Sequence, residues 1–85
     1  MSSTLKETII LLNFYMGEIN ANNRPGTRRF MLHNIVLFCS TVCNNKNILP
    51  PTLINTTKTT MIRIRNELSV KEVNDFNINN YISMM

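Results

Sequence analysis

The chain has 85 residues, 44% of them hydrophobic and 16% charged, with two Gly, three Pro, two Cys and a formal net charge of +4. That length allows one domain with a small core. The hydrophobic fraction excludes a compositionally disordered chain, and the shortage of Gly argues against a sandwich of short hairpins. Charge is uneven along the chain. Residues 1–23 sum to −1 through Lys6, Glu7 and Glu18, residues 24–65 carry seven cations and no acid, and residues 66–85 sum to −2. A basic middle between near-neutral ends points to a polyanion, most simply nucleic acid. Scattered surface charge that serves solubility is the plainer alternative.

Cys39 and Cys43 stand four residues apart, on one face of any helix that carries them, where a bridge would be strained. They make no disulfide framework and fit a reducing compartment. The stretch "TIILLNFYM" has the length of a signal-peptide apolar region, but Lys6 and Glu7 flank it and no small-x-small cleavage site follows. No apolar run reaches the ~18 residues of a spanning helix. The expectation is a soluble, cytoplasmic protein with no membrane segment.

In chain order, Thr4 and Glu7 form a Thr-x-x-Glu capping box before an apolar run. Leu5, Ile9, Leu12, Met16 and Ile19 follow at helical spacing, and Ile10, Leu11, Phe14 and Tyr15 add apolar surface beyond that stripe. A helix over residues 4–20 is expected, buried on more than one side by the rest of the chain or by a second subunit. The break "NANNRPGT" supplies Thr27 as a cap for a second helix over residues 28–43, with Met31, Ile35, Phe38 and Val42 as its stripe. Pro50 and Pro51 open a short helix over residues 51–55, since proline is tolerated in the first turn. "NTTK" then reads as a turn. An amphipathic helix follows, with Met61, Ile64 and Leu68 on one face and Thr59, Arg63 and Asn66 opposite, beside Arg65. The alternation in "TTMIRIR" also fits a strand. The tail reads either as a small hairpin turning at Asn74-Asp75 or as a short helix from about residue 70 to 76, capped by Ser69 and Glu72.

From "HNIVLFCSTVCNNKNILPPTLINTTKTTMIRIRNELS" the chain resembles the winged helix-turn-helix domains of MarR-like and small plasmid, phage or fimbrial regulators, over about residues 31–70. The resemblance implies a mainly α, compact helical domain of helix-turn-helix type. It would divide into a dimerisation helix at 4–20, a helix-turn-helix core at 28–70, and a C-terminal wing hairpin or short helix at 70–85. It also implies a homodimeric transcriptional regulator, a repressor or an activator, from a mobile element, phage or bacterium, that binds double-stranded DNA sequence-specifically through a recognition helix at about 57–68. Thr57, Lys58, Thr59 and Thr60 would meet base edges in the major groove, with Arg63, Arg65 and Asn66 following. Arg28, Arg29 and Lys46 would hold phosphates. Leu5, Ile9, Leu12, Met16 and Ile19 would pair two subunits.

Each of these residues also has a structural reading. The threonines can be a polar cap cluster, the arginines a solvated face, and Met16, Met31 and Met61 core filler. His33 with Cys39 and Cys43 falls short of the four ligands of a structural zinc site, so no metal or cofactor is expected. A single His, no phosphate loop and no paired carboxylates argue against an enzyme. The rival function comes from another class: a small helical interaction or inhibitor protein that docks on a protein partner through the apolar first helix.

Overall fold

The computed structural model describes the backbone of residues 2–21 and 24–85, and the side chains of all of these except residues 2–6, 8, 9 and 20. Five helices follow one another: α1 Ser2–Ala21, α2 Pro25–Asn44, α3 Pro51–Asn66, α4 Val70–Asp75 and α5 Ile78–Met84. Among the described residues there is no strand. The tail is therefore helical, in line with the second of the two readings of residues 70–85, and the hairpin wing is absent.

Proline sets two of the helix starts. Pro25 opens α2 behind Arg24, and Pro51 opens α3 behind Pro50, neither with a side-chain cap. At the first helical position proline gives up an N–H that has no partner anyway, and its fixed φ suits the helix. For that reason α2 starts ahead of Thr27, which lies inside the first turn. The α1 helix likewise starts at Ser2 and takes in Thr4, whose side chain lies outside the described residues.

The largest departure from the sequence reading is in α3. Residues 55–58 do not turn; a single helix runs from Pro51 to Asn66. Leu53, Thr57, Thr60, Met61 and Ile64 form one buried stripe along it. Thr57 can be buried because its hydroxyl donates to the Leu53 carbonyl at 2.8 Å. Local turn preference of Asn and Thr yields to this continuous packing seam. The helix-turn-helix placed over residues 51–68 is thus not formed there.

Between α3 and α4 the capping box at Ser69 is complete. The Glu72 N–H donates to Ser69 Oγ at 3.1 Å, and the Ser69 N–H donates to Glu72 Oε1 at 3.0 Å. Chain reversal between α4 and α5 takes only Phe76 and Asn77. Asn77 has φ 54°, in the left-handed region that asparagine enters more readily than most residues. The reversal therefore lies at Asn77 and not at Asn74-Asp75.

The α1 helix packs against both α2 and α3, and α5 closes the remaining side between α2 and α3. Ile19, Leu32, Ile35, Cys39, Met61, Ile64, Phe76, Ile78 and Ile82 form the core. The radius of gyration is 12.4 Å, close to the roughly 12 Å expected of a compact domain of this length. No helix among the described residues is long and apolar enough to cross a membrane.

Candidate functional site

Two surfaces differ from the rest of the molecule, and each is set by which side of a helix the core takes. On α1 the core takes Leu12 and Ile19, with Tyr15 and Met16 packed at its edge. At 3.6 residues per turn, Ile10 and Phe14 fall about half a turn away from Leu12. Ile10, Leu11 and Phe14 accordingly remain 59%, 42% and 54% exposed. Glu7 and Glu18 bracket them along the same side. On α2 the same logic turns Phe30 and Leu37 outward, opposite Leu32, Ile35 and Cys39.

This geometry revises the expected dimer seam. Leu12 and Ile19 are covered within one chain, and Met16 packs on the same core, so they are not free to meet a second subunit. The side chains of Leu5 and Ile9 lie outside the described residues. The apolar surface left on α1 comprises the residues that stood beside the expected stripe. Their signal was present in the sequence, as apolar residues too numerous for one face.

The second surface is on α3. Thr52, Asn55, Thr59, Arg63 and Asn66 are exposed along its outer side, at spacings of three and four residues, and the helix contains no acid. Thr59, Arg63 and Asn66 thus lie on the solvent face expected of them, with Lys58 half-buried beside it. Thr57 and Thr60 do not join that face. They are 0% and 5% exposed, because the seam that packs α3 into the core runs through them. Thr57 cannot meet a base edge, and Thr60 opens only onto the groove that α3 forms with α1.

Of the cations expected to hold phosphates, Arg28 is drawn into the fold, while Arg29 and Lys46 stay exposed and make single contacts. Arg28 makes a two-pronged pair with Glu72, Nη2 to Oε1 at 3.0 Å and Nε to Oε2 at 3.1 Å, and donates from Nη1 to the Ile19 carbonyl at 2.9 Å. That one side chain joins the end of α1, the start of α2 and the start of α4. The hydrogen bond from Arg28 holds the Glu72 carboxyl down at about 2, further aided by the Ser69 backbone N–H, while partial burial works against it. The same hydrogen bond raises the Arg28 pKa. Lys46 donates from Nζ to the Met84 carbonyl at 2.9 Å, tying the α2–α3 loop to the chain's last turn. Arg65 donates to Asn79 Oδ1 at 3.1 Å, linking α3 to α5. Arg29 lies over the Phe76 ring, 5.8 Å from its centre.

His33 packs edge-on against Phe76, with ring centres 5.0 Å apart. Cys39 is buried in the core, and burial pushes its thiol up to about 12. Burial also raises Cys43, which is half-buried and approaches the Tyr81 carbonyl at 4.0 Å. A buried thiol held in the neutral form as Cys39 is makes a poor nucleophile and a poor metal ligand. The α1 and α3 surfaces meet at a groove of about 300 Å³ lined by Asn13, Asn55, Thr56, Thr59, Thr60 and Arg63. Sequence reasoning missed Asn13, Asn55 and Thr56, since only the packing of α1 on α3 brings them together. Comparison with protein-family models, with curated proteins and with solved structures finds no match to this chain.

Proposed function

We propose that the chain is a non-catalytic helical interaction protein of the cytoplasm that docks on a protein partner through the outward face of α1. The observation that carries this reading is the cluster of Ile10, Leu11 and Phe14, each more than two-fifths exposed on one side of a helix whose other side already fills the core. A small domain gains nothing in its own fold from three large apolar residues in water, and an amphipathic helix face is a common docking element. The test is site-specific photo-crosslinking in cells from position 14, with position 41 on the exposed side of α2 as control. A discrete adduct from 14 that is absent from 41, and that Leu11→Asp removes, supports the reading. Adducts that are the same from both positions overturn it.

A second reading keeps its own observation. The acid-free outer side of α3, with Asn55, Thr59, Arg63 and Asn66 in line, has the side chains that meet base edges and phosphates in a DNA groove. In this version α3 acts as a single recognition helix of a transcriptional regulator, without the turn or the wing. Fluorescence anisotropy with a 30-base-pair duplex tests it. Steeply salt-dependent binding that Arg63→Glu abolishes supports it, and no binding at low salt by the folded protein removes it.

A further inference from the structure

We infer that the groove between α1 and α3 is a binding site for a phosphate-bearing ligand, with Arg63 as its charged anchor. The inference does not rest on the docking face of α1. It starts from what the fold does with its cations. Arg28 pairs with Glu72, Lys71 with Asp75, Lys46 bonds the Met84 carbonyl, Arg65 bonds Asn79, and Arg29 covers Phe76. Arg24 is also engaged. Arg63 makes no such contact among the described residues, and Glu67, one turn on, forms no ion pair with it. Lys58 makes none either, but it lies outside the groove, so among the described residues Arg63 is the uncommitted cation that lines it.

The rest of the lining has matching chemistry. Asn13 comes from α1, and Asn55, Thr56, Thr59 and Thr60 from two adjacent rows of α3, so two amides and three hydroxyls converge with one guanidinium and no carboxylate. None of these five donates or accepts a side-chain hydrogen bond within the described structure. Thr57, by contrast, returns its hydroxyl to its own helix at Leu53. Groups that both donate and accept, around a planar cation that never loses its charge, suit a tetrahedral oxyanion and its ester substituent. A volume of about 300 Å³ lies at the small end of ligand sites, large enough for a phosphate and part of what it is attached to.

The test is an amide-resolved NMR titration of the intact chain with inorganic phosphate, adenosine 5′-monophosphate and a 20-base-pair duplex, each against sodium chloride at equal ionic strength. Saturable shifts confined to residue 13 and residues 55–63 are expected. Arg63→Gln should weaken binding about 10- to 100-fold, and Asn13→Ala about 2- to 10-fold. Both side chains are exposed, so both variants keep the fold. Tighter binding of the nucleotide than of phosphate assigns the site to a small phosphoester, and tighter binding of the duplex with the same two dependences assigns it to a nucleic-acid backbone. Shifts that chloride reproduces, or that survive Arg63→Gln, overturn the site. Duplex binding that needs Arg63 but ignores Asn13 also overturns it, because the α3 surface alone then suffices. None of these outcomes bears on crosslinking from position 14.

Discussion

The α1 and α3 helices lie side by side against the same core and face water with opposite chemistry. The α1 side is Ile10, Leu11 and Phe14; the α3 side is Asn55, Thr59, Arg63 and Asn66. The sequence predicts an amphipathic helix only around Arg63, and a first helix buried on more than one side. Only α3 sends its polar side outward in the ordinary way, whereas α1 keeps Ile10, Leu11 and Phe14 exposed outside the arc that the core covers. A helix that remains apolar after its own chain has packed against it has capacity for a further contact. A helix with polar, uncommitted side chains has capacity for a solvated or charged one. The difference locates two kinds of recognition on neighbouring elements.

The sharpest way to break the comparison is to remove the seam that α3 shares with the core. Ile64→Ala should cost about 2–5 kcal/mol and show as a large fall in the urea midpoint, while Thr59→Ala on the other side of the same helix should stay within about 0.5 kcal/mol. If the two cost the same, α3 is not oriented as described. Next in size is the tie between Arg28 and Glu72. Arg28→Ala should cost about 1–2 kcal/mol, since the pair is neither fully exposed nor fully buried. Its pH signature follows from the lowered Glu72 carboxyl. The folded value of about 2 lies below the ordinary 4.5, so this stability is present above pH 4.5 and is lost as pH falls from there towards 2. In Arg28→Ala that acid-limb loss should shrink, as read by thermal melts across pH 2–6. The smallest stability effect belongs to Phe14→Ser, expected within about 0.5 kcal/mol of wild type by thermal melt, yet this is the change that should abolish partner crosslinking from a reporter at position 10. A large loss of stability would instead place Phe14 in the fold.

Much of the fold was readable in the sequence. The two long helices follow from the spacing of Leu12, Ile19, Leu32, Ile35 and Val42, and the start of α4 from Ser69 and Glu72 three residues apart. Two features were not readable, for different reasons. "NTTK" looks like a turn because Asn and Thr favour turns locally. The winning term is the non-local burial of Thr57 and Thr60, which a local pattern does not contain. The contact between Arg28 and Glu72 spans 44 residues, and nothing at either position marks its partner. That is why a cation expected on a phosphate turns out to be a structural tie. The charge block over residues 24–65 overstated the free positive surface for the same reason. The α1–α3 groove was partly legible: Thr59 and Arg63 stood out as exposed and polar, but Asn13 joins them only through packing.

Glu72 accepts from Ser69 at the start of α4 and from Arg28, which in turn holds the end of α1. A single carboxylate thus couples the first turn of one short helix to the end of α1 and the start of α2. In hydrogen-exchange terms, amides in residues 70–76, 19–21 and 24–28 are expected to open as one cooperative unit. They should exchange with a common free energy in the native protein, and Glu72→Gln should lower that energy for these segments together while leaving the middle of α3 protected.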